Sequence, residues 1–102
     1  MESWQSITVE ELEAIIAKQL AACSEKQRVV FAAYRVPFYL APIHRAGAIE
    51  SVLVVANLPY GLLYFEDVEE GFEIETPGGD GILPGAYCNQ LELTHALYRA
   101  GI

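Results

Sequence analysis

The stretch Ser51–Phe65, SVLVVANLPYGLLYF, decides how the rest of this sequence of 102 residues can be arranged. It contains two apolar runs, separated by a short segment with Pro59 and Gly61. Valine-rich runs of this length, bounded by proline and glycine, favour strands over helix. The four residues Leu58–Gly61 suit a tight turn, because proline presets the backbone at the second position. The stretch therefore predicts a β-hairpin.

Both faces of this predicted hairpin are apolar. Successive side chains of a strand point to opposite faces, so a strand with one wet face would alternate between apolar and polar residues. We therefore expect the hairpin at the centre of a sheet that is covered on both sides. The first strand would place Val52, Val54 and Ala56 on one face and Ser51, Leu53 and Val55 on the other; in the second, Leu62 and Tyr64 alternate with Leu63 and Phe65.

Helices are predicted at the two ends of the chain. Thr8 and Glu11 form a capping box at the start of the first helix, and its apolar residues recur every three or four positions as far as Cys23. Polar residues 24–28 are expected to end this helix. The second helix would begin after Asn89 as its cap and end at Gly101.

The remaining segments are predicted as further strands. Val29–Val36 is expected to be the first strand, followed by a segment that is mostly connection, with a short strand at Tyr39–Ala41. Phe72–Thr76 alternates cleanly, which predicts an edge strand with Glu73 and Glu75 facing water. The order of elements predicts one α+β domain over residues 1–102, an antiparallel meander sheet of about four to five strands flanked by an N-terminal and a C-terminal helix.

Composition and charge narrow the classes of function. Apolar residues make up 53% of the sequence, which excludes a disordered chain, and the net charge is −8. Such a charge opposes binding to nucleic acid and to anionic membranes and favours cationic partners. The two cysteines form no disulfide framework and the N-terminus does not resemble a secretory signal, so we expect a cytoplasmic protein.

The sequence offers little that points to catalysis. Cys88 precedes the predicted cap of the C-terminal helix, where a thiol is activated, but neither His44 nor His95 has a sequence reason to lie beside it. Cys23 is interpreted as a core residue. The cysteines and histidines lack the spacing of a zinc site, and the glycines of residues 77–81 lack a phosphate-binding fingerprint. We therefore expect no catalytic residue, no metal and no cofactor.

Two groups of residues are candidate binding sites. The acidic turn, with Glu66, Asp67, Glu69 and Glu70, would steer and bind a basic protein partner. Alternatively, Tyr39, His44 and Arg45 would hold an anionic small molecule, provided that they converge in a cleft.

The favoured hypothesis is a small acidic protein-binding module of an inhibitor, immunity or chaperone type that acts by occluding its partner. The doubly apolar hairpin further predicts a homodimer or an obligate partner, because an uncovered apolar sheet face needs another chain. The alternative hypothesis is a small-molecule-binding or sensor domain.

Overall fold

A computed structural model describes residues 7–66, 70–86 and 91–102 of the chain. Four strands form one antiparallel sheet in the order β1-β2-β3-β4, and three helices accompany it. The predicted α+β meander is thereby confirmed. The elements are α1 (Val9–Leu20), α2 (Glu25–Tyr34), β1 (Arg35–Arg45), β2 (Ala48–Leu58), β3 (Gly61–Glu66), β4 (Gly71–Glu75) and α3 (Leu93–Arg99).

Helix α2 occupies most of the segment that was predicted as the first strand, so that prediction is wrong. Ser24 caps the helix: its Oγ accepts the backbone N–H of Gln27 at 3.1 Å, and Gln27 Oε1 accepts the N–H of Ser24 at 3.0 Å. This capping box ends the preceding turn and starts a new helix. Gln27 and Phe31 are buried four residues apart, which is one helical turn. The helical period therefore prevails over the β propensity of the valines.

Strand β1 occupies the segment after Val36 that was predicted to be mostly an irregular connection. Its eleven residues include Pro37 and Pro42, which a central strand would exclude because proline donates no hydrogen bond. β1 is the first strand of the sheet and hence an edge strand, where both prolines are tolerated. A two-residue turn at Ala46 and Gly47, both with positive φ, joins it to β2.

A bulge in β2 changes the predicted faces of the central hairpin. Val54 pairs with Tyr64 and Ala56 pairs with Leu63, which leaves Val55 as an extra residue. A bulge of this kind shifts the alternation of side chains by one position. Ala56 therefore packs with the helices, and the prediction that it shares a face with the two preceding even-numbered valines is wrong. The predicted alternation in β3 is confirmed.

All three helices pack on one face of the sheet. Leu12 and Ile16 of α1 and Phe31 of α2 meet the sheet residues there, and α3 closes this core. The backbone N–H of Ile102 donates to the carbonyl of Leu97, next to Gly101 with positive φ, so the predicted glycine cap is confirmed. The helix begins at Leu93 with Glu92 as its cap, so the prediction that the helix begins after Asn89 is wrong; Asn89 itself lies outside the described residues.

The opposite face of the sheet is covered by the chain's own segment 82–86. Leu83 packs there with Tyr64 and the apolar residues of β1 and β2. The N–H of Leu83 donates to the carbonyl of Pro42, and the N–H of His44 donates to the carbonyl of Leu83, both at 2.9 Å. The side chains on the second apolar face of the hairpin are therefore buried within the molecule, and their burial does not require another chain.

Candidate functional site

The three residues of the predicted anionic-ligand pocket do not converge. Tyr39 Oη donates to Asn57 Oδ1 at 2.7 Å, and His44 Nε2 lies 3.1 Å from Asp80 Oδ2. Because His44 is an odd number of residues from both Tyr39 and Arg45 in the same strand, it lies on the opposite face of the sheet. The side chains thus bind separate partners within the protein.

Arg45 forms an ion pair with Glu66, and this pair removes one carboxylate from the predicted acidic turn. Arg45 Nη2 donates to Glu66 Oε2, and the hydrogen bond raises the pKa of Arg45. The Glu66 side chain is only 5% exposed, so it is out of reach of a partner on the surface. Glu70 is exposed. Asp67 and Glu69 lie outside the described residues.

The two glutamates of β4 are buried, so the prediction that they face water is wrong. The segment that follows β4 folds back over this face of the sheet. Glu75 accepts the backbone N–H groups of Gly85 and Ala86, both at 2.9 Å, and the hydroxyl of Tyr64 at 3.1 Å. Glu73 accepts Arg99 Nη1 at 3.1 and 3.2 Å. Carboxylates are tolerated here because each one receives charged or backbone donors.

Tyr64 lies at the centre of this buried polar cluster. Burial raises its pKa, and the nearby Glu75 and Glu73 raise it further, because a phenolate would repel them. Tyr64 is therefore a neutral hydrogen-bond donor that helps to fix segment 82–86. Within the described ranges, no group of three or more His, Cys, Asp or Glu side chains is arranged to hold a metal ion.

An open groove of about 660 Å³ runs along α1, and the sequence analysis missed it. Its apolar lining includes Ile7 and Ile15, both half-buried, and the buried Phe65 of β3. One signal was available, because Ile15 is apolar yet lies beside the predicted stripe of α1. We call this site the α1 groove; among the described residues its lining is Ile7, Glu11, Ala14, Ile15, Lys18, Gln19, Phe65, Glu70 and Glu92.

Exposed carboxylates border the α1 groove on three elements of the structure. Glu11 belongs to the first turn of α1, where its side chain also accepts the N–H of Thr8 at 2.9 Å. Glu70 precedes β4, and Glu92 is the cap residue of α3. Lys18 is the single basic residue among the described residues of the lining. The groove therefore combines an apolar lining with a rim of net negative charge.

The second exposed surface is the far end of the β1–β2 hairpin. Leu40 is 67% exposed and Ile49 is 59% exposed, and Pro42 lies exposed near them. Leu40 pairs with Leu53, which packs in the helix-side core. These residues therefore continue the helix-side face of the sheet to a region that no described helix covers. We call Leu40, Pro42 and Ile49 the hairpin face.

The structure describes one of the two cysteines. Cys23 is buried in the helix-side core, which confirms its interpretation as a core residue, and burial raises the pKa of its thiol. Cys88 lies outside the described residues.

No protein-family model, curated protein or solved structure matches this chain. In the part of the chain that the structure describes, no helix has the length and apolar character needed to cross a membrane.

Proposed function

We propose that this chain is a protein-binding module that holds a basic amphipathic segment of its partner in the α1 groove. Occupation of the groove would occlude that segment from other molecules, as an inhibitor, an immunity protein or a chaperone does. The observation that carries the proposal is the combination of an apolar lining with exposed carboxylates from three separate segments of the chain in one groove.

The apolar lining supplies the attraction that a partner side chain needs. Ile7 and Ile15 are only partly covered by their own chain, so an incoming apolar side chain removes more of their surface from water. Burial of apolar surface stabilises a complex by about 25 cal/mol for each Å². An amphipathic helix binds such a groove with one apolar face.

The rim selects the charge of the partner. Glu11, Glu70 and Glu92 are exposed and retain solvent on one side, so they attract lysine and arginine without the large desolvation cost of buried pairs. The net charge of −8 extends this attraction to longer distances and accelerates encounter with a cationic protein. A cytoplasmic location and the absence of enzymatic activity are part of the same proposal.

A small-molecule function has one supporting observation. A volume of about 660 Å³ lies in the range of ligand pockets, and the groove lies between a helix and the sheet. Its rim is acidic, however, so its ligand would be a cation. Tyr39, His44 and Arg45 were expected to hold an anionic ligand, but these three residues do not form a pocket together.

Two synthetic peptides test the proposed function. One is an amphipathic helical peptide with a leucine face and a lysine face, and the other has glutamate at each lysine position. Isothermal titration calorimetry should detect binding of the lysine peptide only. The double variant Glu70→Lys/Glu92→Lys should weaken binding about tenfold, mainly through slower association, and the effect should shrink as salt rises.

The matched control is Glu25→Lys/Glu50→Lys, which makes the same change of net charge at exposed sites outside the groove lining. It should retain most of the affinity. Equal loss in both double variants would show that net charge, and not the groove, attracts the peptide. Equal binding of the lysine and glutamate peptides would contradict the proposal, and selective binding of small amphiphilic cations would favour the small-molecule alternative.

A further inference from the structure

We propose that segment 82–86 is a lid that opens while the rest of the molecule stays folded, so that it controls access to the second face of the sheet. The proposal concerns the face opposite the helices and does not depend on the peptide-binding function. It rests on how the segment is held, on the loop that precedes it and on the separation of the two apolar cores.

Segment 82–86 is held by one buried side chain and a few hydrogen bonds. Leu83 is the single buried residue between positions 76 and 86. Its backbone N–H and carbonyl form hydrogen bonds with β1, and Glu75 accepts the N–H groups of Gly85 and Ala86. A region with few buried apolar side chains opens at a lower free energy than a core does. The segment therefore has the features of a unit that opens locally.

The loop before this segment provides a hinge. A Cβ at Gly79 or Gly81 would meet no atom within 4 Å, so this part of the loop is not packed against the rest of the protein. Glycine also leaves the backbone free to change its dihedral angles. The ion pair of His44 with Asp80 joins the loop to β1, but both side chains are about half exposed. Water therefore replaces this pair at low cost when the loop moves.

The apolar core under segment 82–86 is separate from the helix-side core. The side chains that pack with Leu83 are those of Ala41, Ile43, Val52, Val54 and Tyr64, and no helix contributes to this cluster. The ladders between the four strands form without the segment. Beyond it, the carbonyl of Leu91 accepts the N–H of Phe72, which fixes the chain before α3. The sheet and the helices therefore keep their own contacts when the segment leaves.

Opening would expose a strand edge together with an apolar face. In the closed form Leu83 is paired with Ile43 in a parallel bridge. The N–H of His44 and the carbonyl of Pro42, which bind Leu83 there, would return to water with the apolar side chains beneath it. The closed form hides both features from other molecules, so the lid regulates whether they can be reached.

Two buried thiol reporters test the lid. Val54 and Val55 are adjacent in β2 and fully buried, but Val54 lies under segment 82–86 and Val55 in the helix-side core. Val54→Cys and Val55→Cys are made in a chain in which Cys23→Ala and Cys88→Ser remove the natural thiols. A neutral dithiodipyridine reagent labels each thiol when the structure opens. After correction for the free energy of unfolding in urea, Val54→Cys should be labelled at least about tenfold faster.

Urea and two further substitutions distinguish local from global opening. Labelling of Val54→Cys should change little at low urea, whereas labelling of Val55→Cys should rise steeply, because global unfolding exposes more surface. Ile16→Val in the helix-side core should speed labelling at position 55 about fivefold and leave position 54 unchanged. Glu75→Gln should speed both by a similar factor, because the hydrogen bonds of Glu75 to the segment are broken in either open form.

Hydrogen exchange of the wild-type chain repeats the test without cysteine substitutions. The amides of His44 and Leu83 should exchange faster, and with less dependence on urea, than the amides that pair β2 with β3. Equal labelling of the two cysteine variants with equal urea dependence would overturn the proposal. So would exchange of both groups of amides through global unfolding alone. Neither outcome affects the peptide titration that tests the α1 groove.

Discussion

Glu75 shows how a single residue changes role when the chain folds. Its position in an alternating strand is typical of a solvated edge residue, yet its carboxylate receives two backbone N–H groups and the Tyr64 hydroxyl. These donors come from a segment ten or more residues later in the sequence and from the neighbouring strand. The carboxylate therefore anchors segment 82–86, and this segment covers the second face of the sheet.

Gly85 makes that anchoring possible, and a comparison with Gly81 tests it. Both glycines have positive φ, but a Cβ at Gly85 would lie 2.0 Å from the carbonyl oxygen of His44, whereas at Gly81 it would meet no atom within 4 Å. Gly81→Ala should lower the free energy of unfolding by about 1–2 kcal/mol, the strain of the left-handed conformation alone. Gly85→Ala should lower it by more than about 3 kcal/mol, because backbone must move. Urea unfolding measures both; equal losses would contradict the close approach.

Asp80 makes the stability of the same segment depend on pH. The hydrogen bond with His44 is the main cause that lowers the pKa of Asp80, and the N–H of Ile82 lowers it further. A carboxyl group with a lowered pKa in the folded state contributes stability above its unfolded pKa and loses that contribution as pH falls through the folded pKa. We therefore expect wild type to be more stable than Asp80→Asn near neutral pH, with a difference that begins to fall near pH 4 and is lost as the pH drops through the lower pKa of the folded state.

Urea unfolding at several pH values measures this difference. The control is Glu50→Gln, which neutralises an exposed carboxylate on the β1–β2 hairpin. If Asp80→Asn and wild type differ equally at all pH values, the pair with His44 does not contribute through its charge.

At the scale of elements, Gln27 joins α2 to α3. Its Nε2 donates to the carbonyl of Thr94 at 3.1 Å, and its Oε1 accepts the Thr94 hydroxyl at 2.8 Å as well as the N–H of Ser24. Only 4% of Gln27 is exposed. This buried amide therefore caps one helix and fixes its position against another.

Replacement of Gln27 by methionine tests this double role. Gln27→Met keeps the length of the side chain but leaves buried polar partners without hydrogen bonds, so the free energy of unfolding should fall by about 1–3 kcal/mol. Lys26→Met is the control at the neighbouring, exposed position, and it should change stability by less than about 0.5 kcal/mol. Thermal or urea unfolding measures both. A loss as small as that of the control would show that the amide is dispensable.

At the scale of the whole molecule, the net charge of −8 opposes compactness. The thermal midpoint of unfolding should therefore rise when sodium chloride is raised from low concentration to about 0.15 M, where the screening length is about 8 Å. The triple variant Glu10→Lys/Glu50→Lys/Glu70→Lys replaces a negative by a positive charge at each of three sites, which changes the net charge from −8 to −2. Its midpoint should depend less on salt. A wild-type midpoint that is independent of salt would indicate that the ion pairs of Arg45 and Arg99 already offset the repulsion.

The sequence by itself determined the features that depend on neighbouring residues. The Thr8 capping box, the turn at Pro59, the alternation of β3 and the glycine cap of α3 are set by local sterics and hydrogen bonds, and the structure contains each of them. The capping box at Ser24 carried the same kind of signal, but the β-branched residues that follow favoured a strand. The α+β meander followed from the order of these local elements.

Tertiary structure alone decided which side chains meet across long separations in the chain. The bulge at Val55 moved Ala56 to the other face, because its position depends on pairing with β3. Burial of Glu73 and Glu75 depends on donors from the C-terminal part of the chain, and the α1 groove combines residues of α1, β3 and the start of α3. No local pattern encodes such contacts, since their free energy arises only after the chain has brought distant groups together.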